Sequence, residues 1–567
     1  MGSAPDNDST PLDGDFEREV YEALKLWKIP GIAIAVIDEE STWTEGYGIA
    51  DLASSTKVEA NTLFYGGSTT KAFTAALMSM LVEDNDRYPH VQWSTPVCEL
   101  IRDDFVLGHP GRTADTTIED ILSHRTGMPG HDFSMGSVHA GQQATVQDVV
   151  RSLRFLPAAA PPRTTYIYNN AMYIVASHLI QTVTGEELRS LFQRYIWDPL
   201  GMSHTYLRLK DAVAGQEPLA KGYADESATD DDPQYEEVPW KDRPEISGAG
   251  AIISSVGDYA KWVHALMNPE ASSSSSSSSD STATTSLSAA ICADVGTART
   301  LIPPPSEPFL TPMAYCLGWN RYVYRGVEIL THDGGIDGFG AEIAMIPALK
   351  YGVVTMANST YTSNFGGTCL VYKLIDDKLG IPAEDRYDWT QKYTDLVAQM
   401  DAYNANAVSY FYPTLPDPPR PGPTLPLAAY AGLYWHDGYG ALELVLDAAD
   451  GKLHATRTQA QYTTACALTF EHISGDFFTA TVAVVGAQTV VPAEFALSPA
   501  GVPRAIGIGW EPHLGTEKRT WMRRVGADEA GRLLRGDQSH PHHAEAYVSY
   551  QREEAQLPEF LTSHLFV

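Results

Sequence analysis

Seven prolines fall between residues 412 and 426, and no other feature limits the fold of this chain as tightly. Proline holds φ at about −65° and lacks a backbone donor, so a run this dense continues neither a helix nor a central strand. It makes a stiff connector. Residues 411–426 therefore read as a linker, and the hydrophobic pattern changes across it. Beyond it, residues 430–435, 442–446, 452–457, 466–470, 477–485, 489–497 and 503–508 are short strand candidates. Turns such as Asp450-Gly451 and Ser474-Gly475-Asp476 separate them. The pattern predicts an all-β unit over 427–526, most simply a small barrel.

Ahead of the linker, helical and strand periods alternate. Phe16, Val20, Leu24 and Trp27 have helical spacing, Pro30-Gly31 ends that helix, and residues 32–38 read as a buried strand followed by a second over 43–50. A short helix is expected over 117–127 with Gly127 at its C-cap, and two helices over 171–196 broken at Thr184-Gly185. Residues 215–245 are polar and proline-containing, an exposed loop able to overhang a site, and 258–267 are amphipathic. A serine run from Ser272, extended to residue 289, reads as a disordered insert. Strand-like segments then resume at 317–324, 327–331, 341–346 and 352–358. The expected unit over 15–410 is α+β, an antiparallel sheet covered by helices. Residues 1–14 and 527–567 are polar flanks. His540, His542 and His543 cluster in the second without an acid or cysteine to complete a metal site.

The net charge of −32 disfavours nucleic acid and anionic lipid as partners. No stretch approaches the roughly 20 apolar residues that span a bilayer, and residues 1–15 lack a basic and apolar leader. Five scattered cysteines (Cys98, Cys292, Cys316, Cys369, Cys466) form neither a disulfide framework nor a metal pattern. A cytoplasmic protein is expected, with a homo-oligomer left open.

Chemistry concentrates in residues 63–82. Gly66-Gly67 lead into Ser68 at an expected helix start, and Phe73, Ala76, Leu77, Met80 and Leu81 recur at buried-helix spacing. Ser68 and Lys71, three apart, share a face. A serine needs a base to become a nucleophile, and a desolvated lysine can supply it. The pattern is cheap, because Ser54 and Lys57 repeat it in a polar turn. Two further stretches complete an acyl-transfer set. Tyr168 and Asn170 precede an apolar helix, offering a phenol for proton transfer and an amide for substrate. His332-Asp-Gly-Gly335 lies on a strand, where the glycines allow close backbone approach and an N–H opposite that of Ser68. His124 is a weaker base candidate.

In order and spacing, Ser68-Thr-Thr-Lys71, Tyr168-Asn-Asn170 and His332-Asp-Gly334 resemble the three motifs of serine β-lactamase-like and penicillin-binding proteins. The nearest branch holds class C β-lactamases, D-aminopeptidases, D-alanyl-D-alanine carboxypeptidases and related esterases. Leu122-Ser-His-Arg-Thr-Gly127, Asp198-Pro-Leu-Gly-Met202 and Ser247-Gly-Ala-Gly-Ala251 support it. The resemblance covers roughly residues 15–375 and implies a β-lactamase/transpeptidase-like fold, with a lipocalin-like barrel after it. It implies Ser68 as acylated nucleophile, proton work shared by Lys71 and Tyr168, Asn170 on the substrate carbonyl side, and an oxyanion hole from the N–H groups of Ser68 and Gly335. No metal or organic cofactor is implied.

His332 stands where β-lactamases carry a lysine. At an ordinary pKa of about 6.5 it is mostly neutral at pH 7 and grips a carboxylate less. That favours an esterase, amidase or D-peptidase acting on a small ester or amide over a dedicated β-lactamase. An acyltransferase using a small-molecule acceptor is the alternative, and a non-catalytic binding or assembly protein a third. Gly334 and the aromatic residues Tyr65, Tyr315, Trp319 and Phe339 are candidate substrate-pocket residues.

Overall fold

A computed structural model describes residues 10–136, 138–139, 142–227, 233–269, 287–303, 307 and 309–534. Among these, the first strand, β1 (Gly31–Asp38), lies inside a nine-stranded antiparallel sheet. The other strands are β2 (Ser41–Asp51), β3 (Thr56–Lys57), β4 (Thr300–Leu301), β5 (Ala314–Tyr315), β6 (Asn320–Tyr324), β7 (Val327–Ile336), β8 (Phe339–Ile346) and β9 (Tyr351–Ala357). The order is β4-β5-β6-β7-β8-β9-β1-β2-β3. The chain thus returns late to pair β9 with β1, Ile34 opposite Thr355.

Both faces of this sheet are covered, which explains the unbroken apolar run of β1. Ile32, Ile34 and Val36 meet α1 (Gly14–Leu26) and the late helices, while Ala33, Ala35 and Ile37 face the core that contains α2 (Thr70–Glu83). Asp13 caps α1, accepting from the backbone N–H groups of Asp15 and Phe16. Three more helices join α2: α3 (Ile118–Leu122), α4 (Asn170–Thr184) and α5 (Val256–Met267). Helix α6 (Thr362–Leu379) packs with α1, followed by α7 (Trp389–Phe411), an element absent from the sequence reading.

After the linker, eight strands close a barrel: β10 (Gly432–His436), β11 (Gly440–Leu446), β12 (Leu453–Arg457), β13 (Cys466–Ser474), β14 (Phe477–Val484), β15 (Ala487–Leu497), β16 (Pro503–Ile508) and β17 (Thr520–Arg524). The eighth strand escaped the pattern because Thr-Trp-Met-Arg-Arg reads as polar. Pairing of β10 with β17, Tyr434 opposite Arg524, closes the ring and removes both sheet edges.

Other expectations are corrected. Helix α3 stops at Leu122, and Gly127 (φ +73°) turns a loop in which His124 is also left-handed (φ +54°). Residues 215–245 are no simple exposed loop. They contain a two-stranded hairpin, Gly222–Asp225 with Tyr235–Val238, and then the buried Arg243 and Glu245. Most of the serine-rich insert (270–286) and the three tail histidines lie outside the described residues, but Ala289–Val295 is helical, as is Ala527–Leu534. All five cysteines are free thiols. Among the described residues, no helix is long and apolar enough to cross a membrane.

Candidate active site

Ser68 sits in a single tight turn, Gly67–Thr69, that runs into α2. The turn is locked from both sides. Thr69 Oγ1 donates to Gly66 O at 2.7 Å, Thr70 Oγ1 accepts from Ile252 N at 3.1 Å, and Thr74 Oγ1 donates to Gly248 O at 2.7 Å. Gly67 is left-handed (φ +52°), and a methyl there would fall 2.8 Å from Gly335 N. A methyl on Gly334 would lie 2.9 Å from Ser68 N and 2.1 Å from Gly66 O. Only glycine lets β7 approach the Ser68 turn this closely.

Lys71 is fully buried, and its Nζ is hydrogen-bonded to Ser68 Oγ at 2.7 Å while donating to Ala249 O at 2.9 Å. Nζ also lies 4.8 Å from the Tyr168 ring centre. Burial of the ammonium, partly offset by the carboxylates of Asp132 and Asp333, pulls Lys71 down to about 7. Tyr168 shares a side-chain hydrogen bond with Ser68, but burial raises its phenol well above the ordinary value. Ser68, Lys71 and Tyr168 therefore form one buried hydrogen-bonded group.

Asn169 caps α4, accepting from Met172 N, and its amide donates to Met128 O at 3.1 Å. That frees Asn170 to donate to Asp132 Oδ1 at 2.9 Å. Asp132, which the sequence reading did not single out, stands on the cleft wall with its carboxyl pushed up to about 6, burial being the main cause.

Ser68, Asn170 and Gly335 open onto one cleft. Its other walls combine Phe133, Met135, Ile246 and Ile336 with Arg243 and Asp337, and with Thr463, Thr464 and Val484 from the barrel. No pattern in the sequence announces these barrel residues, since only the closed fold brings residues some 400 positions from Ser68 beside it.

The remaining candidates lie elsewhere. His332 is 2 % exposed, hydrogen-bonded through Nε2 with the Tyr315 hydroxyl at 3.0 Å and through Nδ1 with Asp333 O at 2.6 Å. It does not line the cleft. His124 accepts from Asn169 N at 3.1 Å and packs 4.3 Å from the Tyr168 ring. Tyr65, Trp319 and Phe339 belong to the core. The Tyr65 hydroxyl donates to Lys241 O, and Phe339 packs edge-on at 5.9 Å. Gly334 supplies close approach and accepts from Asn364 through its carbonyl at 3.2 Å.

Residues 22–373 match the Beta-lactamase family model. The chain belongs to the β-lactamase family. Residues 416–524 match a domain of unknown function, DUF3471. The unguisins hydrolase ungD' of Aspergillus campestris is 51% identical over 526 residues, spanning 93% of this chain and 94% of that protein. Protein flp of Staphylococcus aureus is 22% identical over 358 residues, 62% of this chain and 64% of its own length. The octameric penicillin-binding protein homologue from Pyrococcus abyssi superposes with a TM-score of 0.55 at 19% identity, covering 90% of this chain and 99% of that one. SurE gives 0.51 at 20% identity, covering 90% and 98%. At such identities these two structures show the fold alone. This β-lactamase-family chain is a hydrolase whose family domain is followed by a closed β-barrel.

Proposed function

We propose that the protein is a serine hydrolase that cleaves a small amide or ester through an acyl-enzyme on Ser68. The observation that carries this reading is the 2.7 Å contact between Lys71 Nζ and Ser68 Oγ in a site that pulls the lysine to about 7. A lysine so poised is half neutral near pH 7 and can take the serine proton. Tyr168, held as a neutral phenol by burial, serves as hydrogen-bond partner, and Lys71 is the base.

In acylation Ser68 Oγ gives its proton to Lys71 Nζ and forms a bond to the substrate carbonyl carbon. The developing oxyanion faces the N–H groups of Ser68 and Gly335. The C–N or C–O bond breaks as Lys71 returns the proton to the leaving amine or alcohol. In deacylation water loses a proton to Lys71, attacks the ester carbon, and Ser68 is reprotonated as it leaves. Asn170, steadied by Asp132, orients the substrate amide.

The relative's name makes unguisins the first substrate to try. Two experiments test the reading. Intact-mass analysis after incubation with a p-nitrophenyl ester should show one acyl adduct that Ser68→Ala abolishes, and equal labelling of that variant overturns the nucleophile assignment. Incubation with unguisins should give products that have gained the elements of water. Strong turnover of a chromogenic cephalosporin with none of unguisins, amides or esters overturns the substrate class.

A further inference from the structure

We propose that the barrel is part of the active site: the segment Thr463-Thr464 with Val484 forms a fixed wall of the cleft and selects substrates by the size of the group beyond the reacting carbonyl. This rests on the hydrolase reading above and assigns a role to the domain of unknown function.

Thr463 uses every polar atom it has on the catalytic domain. Its N–H donates to Met135 O at 3.0 Å, its carbonyl accepts from Arg243 Nη1 at 3.1 Å, and its hydroxyl donates to Glu245 Oε1 at 2.9 Å. Met135 and Arg243 both line the cleft, on segments far apart in sequence. One barrel residue thus ties two lining segments of the cleft together. Arg243 is itself 5 % exposed and completes the tie with Asp337 at 2.8 Å.

The rest of the contact holds the wall in register. Gly136 bridges Tyr462, His131 N donates to Glu511 Oε2 at 2.8 Å, and Arg457 donates to Phe133 O at 2.7 Å. The turn after Val484 is seated closely as well. A methyl on Gly486 would meet Thr360 at 3.3 Å, and Thr360 also borders the cleft. A wall fixed at this many points does not swing aside for an oversized ligand.

The surface offered is two threonines and a valine, in a cleft that Phe133, Met135 and Ile246 also line. The cleft's guanidinium is already matched by Asp337. Such a surface takes a neutral chain of apolar side chains with hydrogen-bonding amides, which is a peptide-like acyl group.

The test compares kcat/KM for p-nitrophenyl acetate with that for the p-nitrophenyl ester of a neutral, N-acylated tripeptide, using the full chain. Thr464→Trp and Val484→Trp should lower the tripeptide-to-acetate ratio about tenfold or more, and Val484→Ala should raise it, the range expected when a pocket gains or loses carbon atoms. A ratio within about twofold of wild type in all three variants overturns the wall, including the case where a variant is merely less stable and both rates fall together. Peptide mapping of the acyl adduct in each variant separates the two readings. An adduct on Ser68 with an unmoved ratio removes the wall and leaves the nucleophile, whereas an adduct elsewhere removes the nucleophile.

Discussion

The chain contains the tetrad Ser-x-x-Lys twice within eighteen residues, and the two copies share nothing but their letters. Ser54 lies in an exposed turn where its hydroxyl pairs with Thr56 Oγ1 at 2.7 Å, and Lys57 is exposed on the edge strand β3. Ser68 and Lys71 are buried at the head of an apolar helix, with two glycines before them and two more pressed in from β7. The difference teaches that the motif acquires chemistry from desolvation. Water around Lys57 stabilises its ammonium, whereas the protein around Lys71 disfavours that charge.

The sharpest way to break this contrast is to remove the buried hydroxyl. Ser68→Ala should lower kcat/KM by about a thousandfold or more, as expected when a covalent nucleophile is deleted, in an assay with the p-nitrophenyl ester. A loss of only a few-fold would mean that some other group is acylated.

Next in size is the base. Lys71→Met should lower kcat by about 10²–10⁴-fold while leaving the fold intact. Stability separates this from simple damage. The folded chain holds Lys71 at about 7 against the ordinary lysine value of 10.5, so between those values the unfolded chain binds more protons. Stability from this group therefore rises with pH across the window, and below about 7, where both states are protonated, the full penalty of the buried ammonium is present. Urea unfolding of wild type and Lys71→Met should show a difference between them that changes in that direction from pH 7 to 9. A pH-independent difference contradicts the burial argument.

The same titration should shape catalysis. Log kcat/KM should climb with a slope of about one below pH 7 and level off above it, as the neutral amine becomes the dominant form. Lys71→Met should lose that limb. A plateau reaching down to pH 5 would shift the base role away from Lys71.

How far the sequence carried this reading follows from the range of the interactions. The Ser68 helix start, the helix that follows Tyr168 and Asn170 and the buried run of β1 are set by neighbours a few residues away, so their letters announce them. The antiparallel pairing of β7 to β9 was also visible, because these strands are separated by turn residues. Asp132 was not, since its importance depends on Asn170 meeting it across 38 residues. Arg243 was misread as part of an exposed loop because its partners, Asp337 and Thr463 O, come from a distant strand end and from another domain. His332 reads as a substrate group by motif position, yet the fold gives it Tyr315 and the Asp333 carbonyl as partners. Patterns report local demands, and contacts made only by closure leave no pattern.

A smaller effect probes that closure. Thr463→Val keeps the shape of the side chain and deletes the hydroxyl that donates to Glu245, whose other carboxyl oxygen is buried without a hydrogen-bond partner. Leaving a buried carboxyl short of a donor costs about 1–3 kcal/mol, measurable as a lower urea midpoint. Because burial already raises the Glu245 pKa, protonation at acid pH should lessen the loss. A neutral substitution at every pH would mean that water takes the place of the hydroxyl.

The smallest expected effect returns to the exposed tetrad. Ser54→Ala and Lys57→Ala should each change stability by less than about 0.5 kcal/mol and leave ester turnover as in wild type. The reason is geometric. Ser54 bonds only within its own turn, Lys57 lies on the sheet's outermost strand, and the next residue, Val58, supplies the buried anchor by packing beneath Gly31 and Gly46. Val58→Ala, just after that strand, should therefore destabilise more than either change, by about 1–3 kcal/mol. If Lys57→Ala slowed turnover while Val58→Ala did not, the exposed copy would have a catalytic contact that the fold does not provide, and solvent exposure would no longer separate the two tetrads.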